Sequence, residues 1–198
     1  DLVKSNESPE ANVTGVSDYF PLETQIDKFL EAFPESKTLG LLYSTGEANS
    51  EGQIKELKEI VKNKGMNLEV VGVNSTNDVP QAMSSLTGKI DSYVAIQDNL
   101  ASSSATVISQ SLIKAQIPSF AGEEGPVENG MLLSDGVDYT ELGKEAGKMA
   151  SEIKKGKEVK DIPVFFSKDA KRTVNGKTAE ALNIEKDSKI FENAKVVE

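Results

Sequence analysis

Leu22, Ile26, Phe29, Leu30 and Phe33 recur at the spacing of one helix face, and Pro34 closes the run, which predicts a helix over 22–33. Thr38 to Tyr43 then forms a continuous apolar run without polar alternation, the pattern of a strand buried on both faces. The two patterns go on alternating. Ser50 caps a predicted helix that runs to Lys64, with Ile54, Leu57, Ile60 and Val61 as its stripe and Gly65 as its stop. A strand follows at 67–73, and then a short helix capped by Asp78 with Pro80 in its first turn. Ile90 to Ile96 reads as a third strand and Leu100 to Ala115 as a helix carrying Ala105, Ile108, Leu112 and Ile113. Ile117 to Ala121 and Met131 to Ser134 complete the strands of this region.

Strand–helix alternation with short connections implies right-handed crossovers, so the expected fold class is α/β: a parallel sheet with helices on both faces. The flanks read differently. Asn12 to Val16 is a short β-prone run after a polar lead. Tyr139 to Lys155 is a long helix with Leu142, Ala146, Met149, Ala150 and Ile153, in which Gly143 and Gly147 allow close packing. Short strands are expected at Ile162 to Phe166 and Arg172 to Asn175, and a short helix at Thr178 to Leu182. No internal repeat interrupts this order.

Composition narrows the chemistry. The 198 residues contain no His, Cys or Trp, which excludes imidazole- and thiolate-based catalysis, cysteine or imidazole metal sites, and disulfides. No cofactor is expected. The net charge of −10 opposes binding to nucleic acid and to anionic membranes. No apolar run approaches the roughly 20 residues of a membrane-spanning helix.

Ligands of an open parallel sheet bind beyond the carboxyl ends of its strands, which selects four loops: Tyr43 to Ser50, Gln97 to Asn99, Gly122 to Gly125, and Asp135 with Gly136. They hold hydroxyls, amides, a tyrosine and carboxylates, but no Lys or Arg. Neither a Walker loop nor a Gly-x-Gly-x-x-Gly fingerprint is present, so phosphate is a poor fit. A ligand with an α-amino group suits the set: a carboxylate takes the ammonium, and helix N-termini with hydroxyls take the ligand's carboxylate. The candidates are Asp18, Tyr19, Tyr43, Glu47, Asn49, Ser50, Asp98, Asn99, Glu123 and Asp135, with Asp98 first as ammonium partner and Glu47 second. Tyr43 and Tyr19 are candidate flat apolar faces. Each has an ordinary reading too: Glu47 and Asn49 as loop residues, Asp98 as a helix cap, Glu123 as a surface turn, Tyr43 as a core aromatic. Without a nucleophile–base pair, no turnover is expected.

Five stretches in order carry a family likeness: Asn12 to Asp18, Leu41 to Ser50, Ser75 to Ala82, Phe120 to Gly130, and Val137 to Gly143. Over nearly all of 12–198 the chain resembles substrate-binding proteins of ABC importers, in the branch associated with aromatic or branched amino acids. The resemblance implies a type I periplasmic-binding-protein-like lobe plus part of a second lobe, with a small amino acid captured between lobes and delivered to a membrane permease. It divides the chain into a remnant of an N-terminal lobe (1–16), a C-terminal lobe (17–134), a crossing segment and helix of the incomplete N-terminal lobe (135–165) and a segment returning to the C-terminal lobe (166–198). It further implies a monomer outside the cytoplasm, extracellular or periplasmic, lipid-anchored through a Cys upstream of this segment. The chain differs from the family pattern at Ser44, before Asp98 and at Asp135, which bears on ligand identity. The alternative of another class is the effector-sensing domain of a transcription regulator, which shares the architecture. A hydrolase or transferase fragment lacks the nucleophile elbow and the His it needs.

Overall fold

In the computed structural model residues 2–167 and 170–198 are described. Asp1 in the expected 1–16 remnant, and Lys168 and Asp169 in the expected returning segment 166–198, lie outside the described residues. In chain order the elements are β1 (Val16–Ser17), α1 (Leu22–Ala32), β2 (Thr38–Ser44), α2 (Ala48–Asn63), β3 (Asn67–Val73), α3 (Val79–Leu86), β4 (Ser92–Ala95), α4 (Asn99–Ser103) and α5 (Ala105–Lys114). They continue with β5 (Ser119–Ala121), α6 (Glu124–Glu128), β6 (Leu133–Gly136), α7 (Tyr139–Lys154), β7 (Phe165–Phe166), β8 (Lys171–Asn175), α8 (Gly176–Ala181) and β9 (Lys195–Val197). The chain forms two compact units: unit 1 comprises Asp1–Phe20 and Val137–Ala170, and unit 2 comprises Pro21–Gly136 and Lys171–Glu198.

Unit 2 is built on a seven-stranded sheet of order β3-β2-β4-β5-β6-β8-β9. The first five strands are parallel, β8 runs antiparallel to β6, and β9 pairs parallel with β8. The double-faced burial predicted for 38–43 follows from strand alternation. Leu39 and Leu41 join one core with Ile26 and Phe29 of α1 and Leu57 and Val61 of α2. Leu42 joins a second core with Met83 of α3, Ile108 and Leu112 of α5, and Tyr93 of β4. The expected parallel α/β sheet with helices on both faces is therefore the observed one.

Several boundaries differ, each for a local reason. The expected helix 100–115 is two helices divided at Ser104. The Ser103 hydroxyl donates to the Asn99 and Leu100 carbonyls, the local back-bonding that bends helices. The helix expected from Ser50 starts at Ala48, and Ser50 lies buried inside it because its hydroxyl is drawn to Asp98. Gly122 to Gly125 is not wholly loop, since α6 begins at Glu124. The last parallel strand is shifted to Leu133–Gly136, and the strand expected over 90–96 is only Ser92–Ala95. Strand β9 was not foreseen; its three residues are too few for periodicity to register.

Unit 1 is smaller. β1 and β7 pair in parallel, and the Thr14 hydroxyl donates to the Ile162 carbonyl at 2.7 Å. Only Val16–Ser17 of the β-prone run 12–16 and only Phe165–Phe166 of 162–166 are strand. Asp138 caps α7, accepting from the Thr140 and Glu141 amides. Of the stripe predicted along α7 only Leu142 is buried, and Ile153 is 37% exposed.

Gly136 ends β6 so close to the preceding loop that a β-carbon there would lie 2.2 Å from the Gly122 carbonyl oxygen. That neighbour is backbone and cannot rotate away. Gly136→Ala should therefore cost about 1–3 kcal/mol of unfolding free energy, read from the urea midpoint of the full-length protein.

Candidate functional site

The loops at the carboxyl ends of β2, β4 and β5 are tied into one polar network, and Asp98 is its buried centre at 2% exposure. Its Oδ2 accepts from the Ser44 amide at 2.8 Å and the Ser50 hydroxyl at 2.6 Å, and its Oδ1 accepts from the Ala101 amide at 2.9 Å. One carboxylate thus holds the end of β2, the first turn of α2 and the start of α4. Glu47 does the same from outside: its Oε2 accepts from the Asn99 amide at 3.1 Å and Nδ2 at 2.9 Å, and its Oε1 from the Leu100 amide at 3.2 Å. An acid placed at free amides at the start of a helix is the favourable arrangement. Asn49 donates to the Gln97 carbonyl at 2.8 Å, and Gln53 brackets Gln97 by donating to its carbonyl and accepting from its amide, both at 3.2 Å. Ser102 donates to Glu123 Oε1 at 3.1 Å.

Glu47, Asn49, Ser50, Asp98, Asn99 and Glu123 are therefore brought together, as the loop rule requires. They differ in how far the chain itself occupies each side chain. Asp98, first choice for a ligand ammonium, is enclosed and holds three donors from the chain itself; it acts as the helix cap that was its ordinary reading. Glu123 Oε2 carries no partner among the described residues, and the residue is only half-buried. Tyr43 is half-buried and packs against the first core, with its ring beside Gly72 of β3, so its core reading holds too. Asp135 is 2% exposed and committed to Arg172, whose Nε and Nη2 donate to its Oδ2 at 2.9 and 2.6 Å. Asp18 and Tyr19 belong to unit 1, where the Tyr139 hydroxyl donates to Asp18 at 3.4 Å and Tyr19 is 45% exposed.

The candidates drawn from the sequence do not include Ser102, Gln53, Gln25 or Arg172. Gln25 and Gln53 are polar positions on helices whose apolar stripes carry the periodic signal, and a serine in the first turn of a helix carries no signal of its own. Arg172 carried a usable signal as the one arginine of the chain. Among the described residues no group of three or more acidic, His or Cys side chains is arranged to hold a metal ion.

Beside Glu123, Glu124 pairs with Lys195 and lies 3.7 Å from Lys171, and Glu128 lies 3.6 Å from Lys195. The hydrogen bond from Lys195 holds the Glu124 carboxyl below the usual carboxylate range. A carboxyl whose folded pKa is depressed contributes stability above its unfolded value, about 4.3, and loses it as pH falls through the folded one.

These features define an α/β ligand-binding unit whose chemistry is gathered at the carboxyl ends of a parallel sheet. The family model for ABC transporter substrate binding proteins matches residues 1–198, and the chain belongs to that family. It is 38% identical over 185 residues to a tyrosine-binding protein of Clostridioides difficile, covering 93% of this chain and 54% of that protein. A ligand-free, open substrate-binding protein with adhesive properties from Clostridium difficile superposes with a TM-score of 0.85 at 38% identity, over 100% of this chain and 66% of that one. The L-Trp complex of an ABC domain from Streptococcus pneumoniae does so with 0.86 at 32% identity, over 100% and 67%. The chain spans about half the length of the curated relatives it matches. The family match lends the regulator-domain alternative no support. No helix is long and apolar enough to cross a membrane among the described residues.

Two outcomes follow from the site's geometry. Asp98→Ala leaves the buried Ser44 amide and the Ser50 hydroxyl without their acceptor and should cost about 2–4 kcal/mol in urea unfolding, well beyond the roughly 0–1 kcal/mol of a surface ion pair. Between about pH 5 and pH 3, the wild type should lose more stability than Glu124→Gln, because only the wild type has this depressed carboxyl to protonate; urea midpoints across that range read the difference.

Proposed function

We propose that this chain forms part of the solute receptor of an ABC importer, one that captures an amino acid, aromatic side chains favoured, and hands it to a membrane permease without turning it over. Membership of the family along the whole chain carries the class. The aromatic preference rests on the tyrosine-binding relative and on the L-Trp complex, both of which are statements about those proteins. We place the ligand at the carboxyl-end loops of unit 2. Glu123 takes the ammonium, because its Oε2 is uncommitted and the loops hold no competing Lys or Arg. The ligand's carboxylate goes to the start of α2, which no side chain caps. Binding shifts the population between conformations of the two units. The receptor works as a monomer outside the cytoplasm, anchored by a lipidated Cys upstream of this segment. Unit 1 is part of a second lobe that further polypeptide completes; the exposed apolar stripe of α7 supports this.

Calorimetry on the full-length protein with tryptophan, tyrosine, phenylalanine, leucine and a sugar tests the reading. At least one aromatic amino acid should bind. Glu123→Gln should weaken it by about tenfold to a hundredfold, the usual worth of a charge-assisted hydrogen bond. Binding of the sugar alone would leave the receptor class standing and remove the amino acid. Unchanged affinity in Glu123→Gln would remove Glu123 as the ammonium partner.

A further inference from the structure

The chain passes between the units at three places, 20/21, 136/137 and 170/171. On the unit 2 side all three passages run into one residue. The second leaves from β6 at Gly136, one residue after Asp135. The third enters β8 directly before Arg172, and the two strands are in register with Asp135 opposite Arg172 and Gly136 opposite Lys171. The first opens α1, whose Gln25 is buried and donates to the Asp135 carbonyl at 2.9 Å and the Gly122 carbonyl at 3.3 Å. One turn further along α1, Lys28 Nζ lies 3.7 Å from Asp135 Oδ1. Arg172 gives two donors to Asp135 and a third, at 3.1 Å, to the Lys189 carbonyl in the turn before β9.

A buried ion pair is poor evidence of added stability, since desolvation offsets most of the attraction. What it does supply is geometry. The planar guanidinium fork fixes direction in a way a lysine ammonium cannot, and the only arginine among 22 basic residues stands here.

We propose that Asp135, held by Arg172, Lys28 and Gln25, is the anchor that fixes the unit 2 ends of all three passages, so that these are positioning residues for the ligand-driven change and not ligand contacts. Loosening the anchor broadens the conformations of the free protein, and the ligand must then order what the anchor had ordered beforehand. Apparent affinity falls in proportion to the competent fraction. The affinity part of this rests on the receptor reading above; the conformational part does not.

The test uses the full-length protein labelled through Lys58→Cys in unit 2 and Lys154→Cys in unit 1, both exposed positions, and reads single-molecule energy transfer without ligand, then affinity for the aromatic amino acid that binds the wild type. Arg172→Gln and Asp135→Asn should broaden the ligand-free distance distribution and weaken binding by roughly tenfold. Arg172→Lys, which keeps the charge but loses the fork, should do both to a smaller degree and serves if either of the others fails to fold. Ser119→Ala is the control. It removes the acceptor of the Leu132 amide, a buried bond away from the passages, and should lower thermal stability while leaving distribution and affinity as in the wild type. A wild-type distribution in a folded Arg172 or Asp135 variant overturns the proposal, as does equal broadening by Ser119→Ala. Broadening in a protein that binds none of the amino acids upholds the anchor and defeats the amino-acid reading alone.

Discussion

Burial of β2, β4 and β5 on both faces is the constraint from which the rest of unit 2 follows. Leu39 and Leu41 face one way and Leu42 the other, and each side chain removed from water contributes about 1.5–3 kcal/mol. An exposed ion pair such as Lys157 with Glu152 contributes about 0–1 kcal/mol, so the sheet decides. Both faces must be covered: α1 and α2 lie on one, α3 to α6 on the other. Parallel strands joined by helices leave every strand-to-helix loop at the same end of the sheet. The place of the polar network therefore follows from how apolar strands are covered, while its bonds depend on the carboxylates, amides and hydroxyls that the loops carry.

The acidity of the chain is put to two uses. Buried carboxylates are structural. Asp98 joins three elements through bonds to its own chain, and Asp135 joins three passages through the one arginine and its neighbours. Both are buried, and the donors they hold come from the fold itself. Glu123, half-buried and held on one oxygen, keeps the capacity to bind. Similar residue types in neighbouring loops thus differ in how many of their oxygens the fold already occupies.

Gly136 and Gln25 meet at the same place and show how tightly it is built. The glycine allows β6 to end against the Gly122 carbonyl, and the glutamine satisfies that carbonyl and the one at Asp135. A buried carbonyl without a donor costs about 1–3 kcal/mol, so the amide on α1 is as much part of the sheet's end as the strands are.

Periodicity in the sequence was enough to determine the α/β class, the parallel sheet, the two helical layers and the loops that gather at one end, because each depends on which positions must leave water. It missed the helix break at Ser104, the two-residue shift of β6 and the whole of β9, where hydroxyl back-bonding or pairing with a distant strand outweighs local pattern. Residue type and loop position were likewise enough to nominate Glu47, Asn49, Ser50, Asp98, Asn99 and Glu123 as neighbours. Which carboxylate stays available was decided only by the tertiary structure. The donors that occupy Asp98 and Asp135 come from Ser44, 54 positions away, and from Arg172, 37 positions away, and no local pattern encodes a partner brought in by the packing of the sheet.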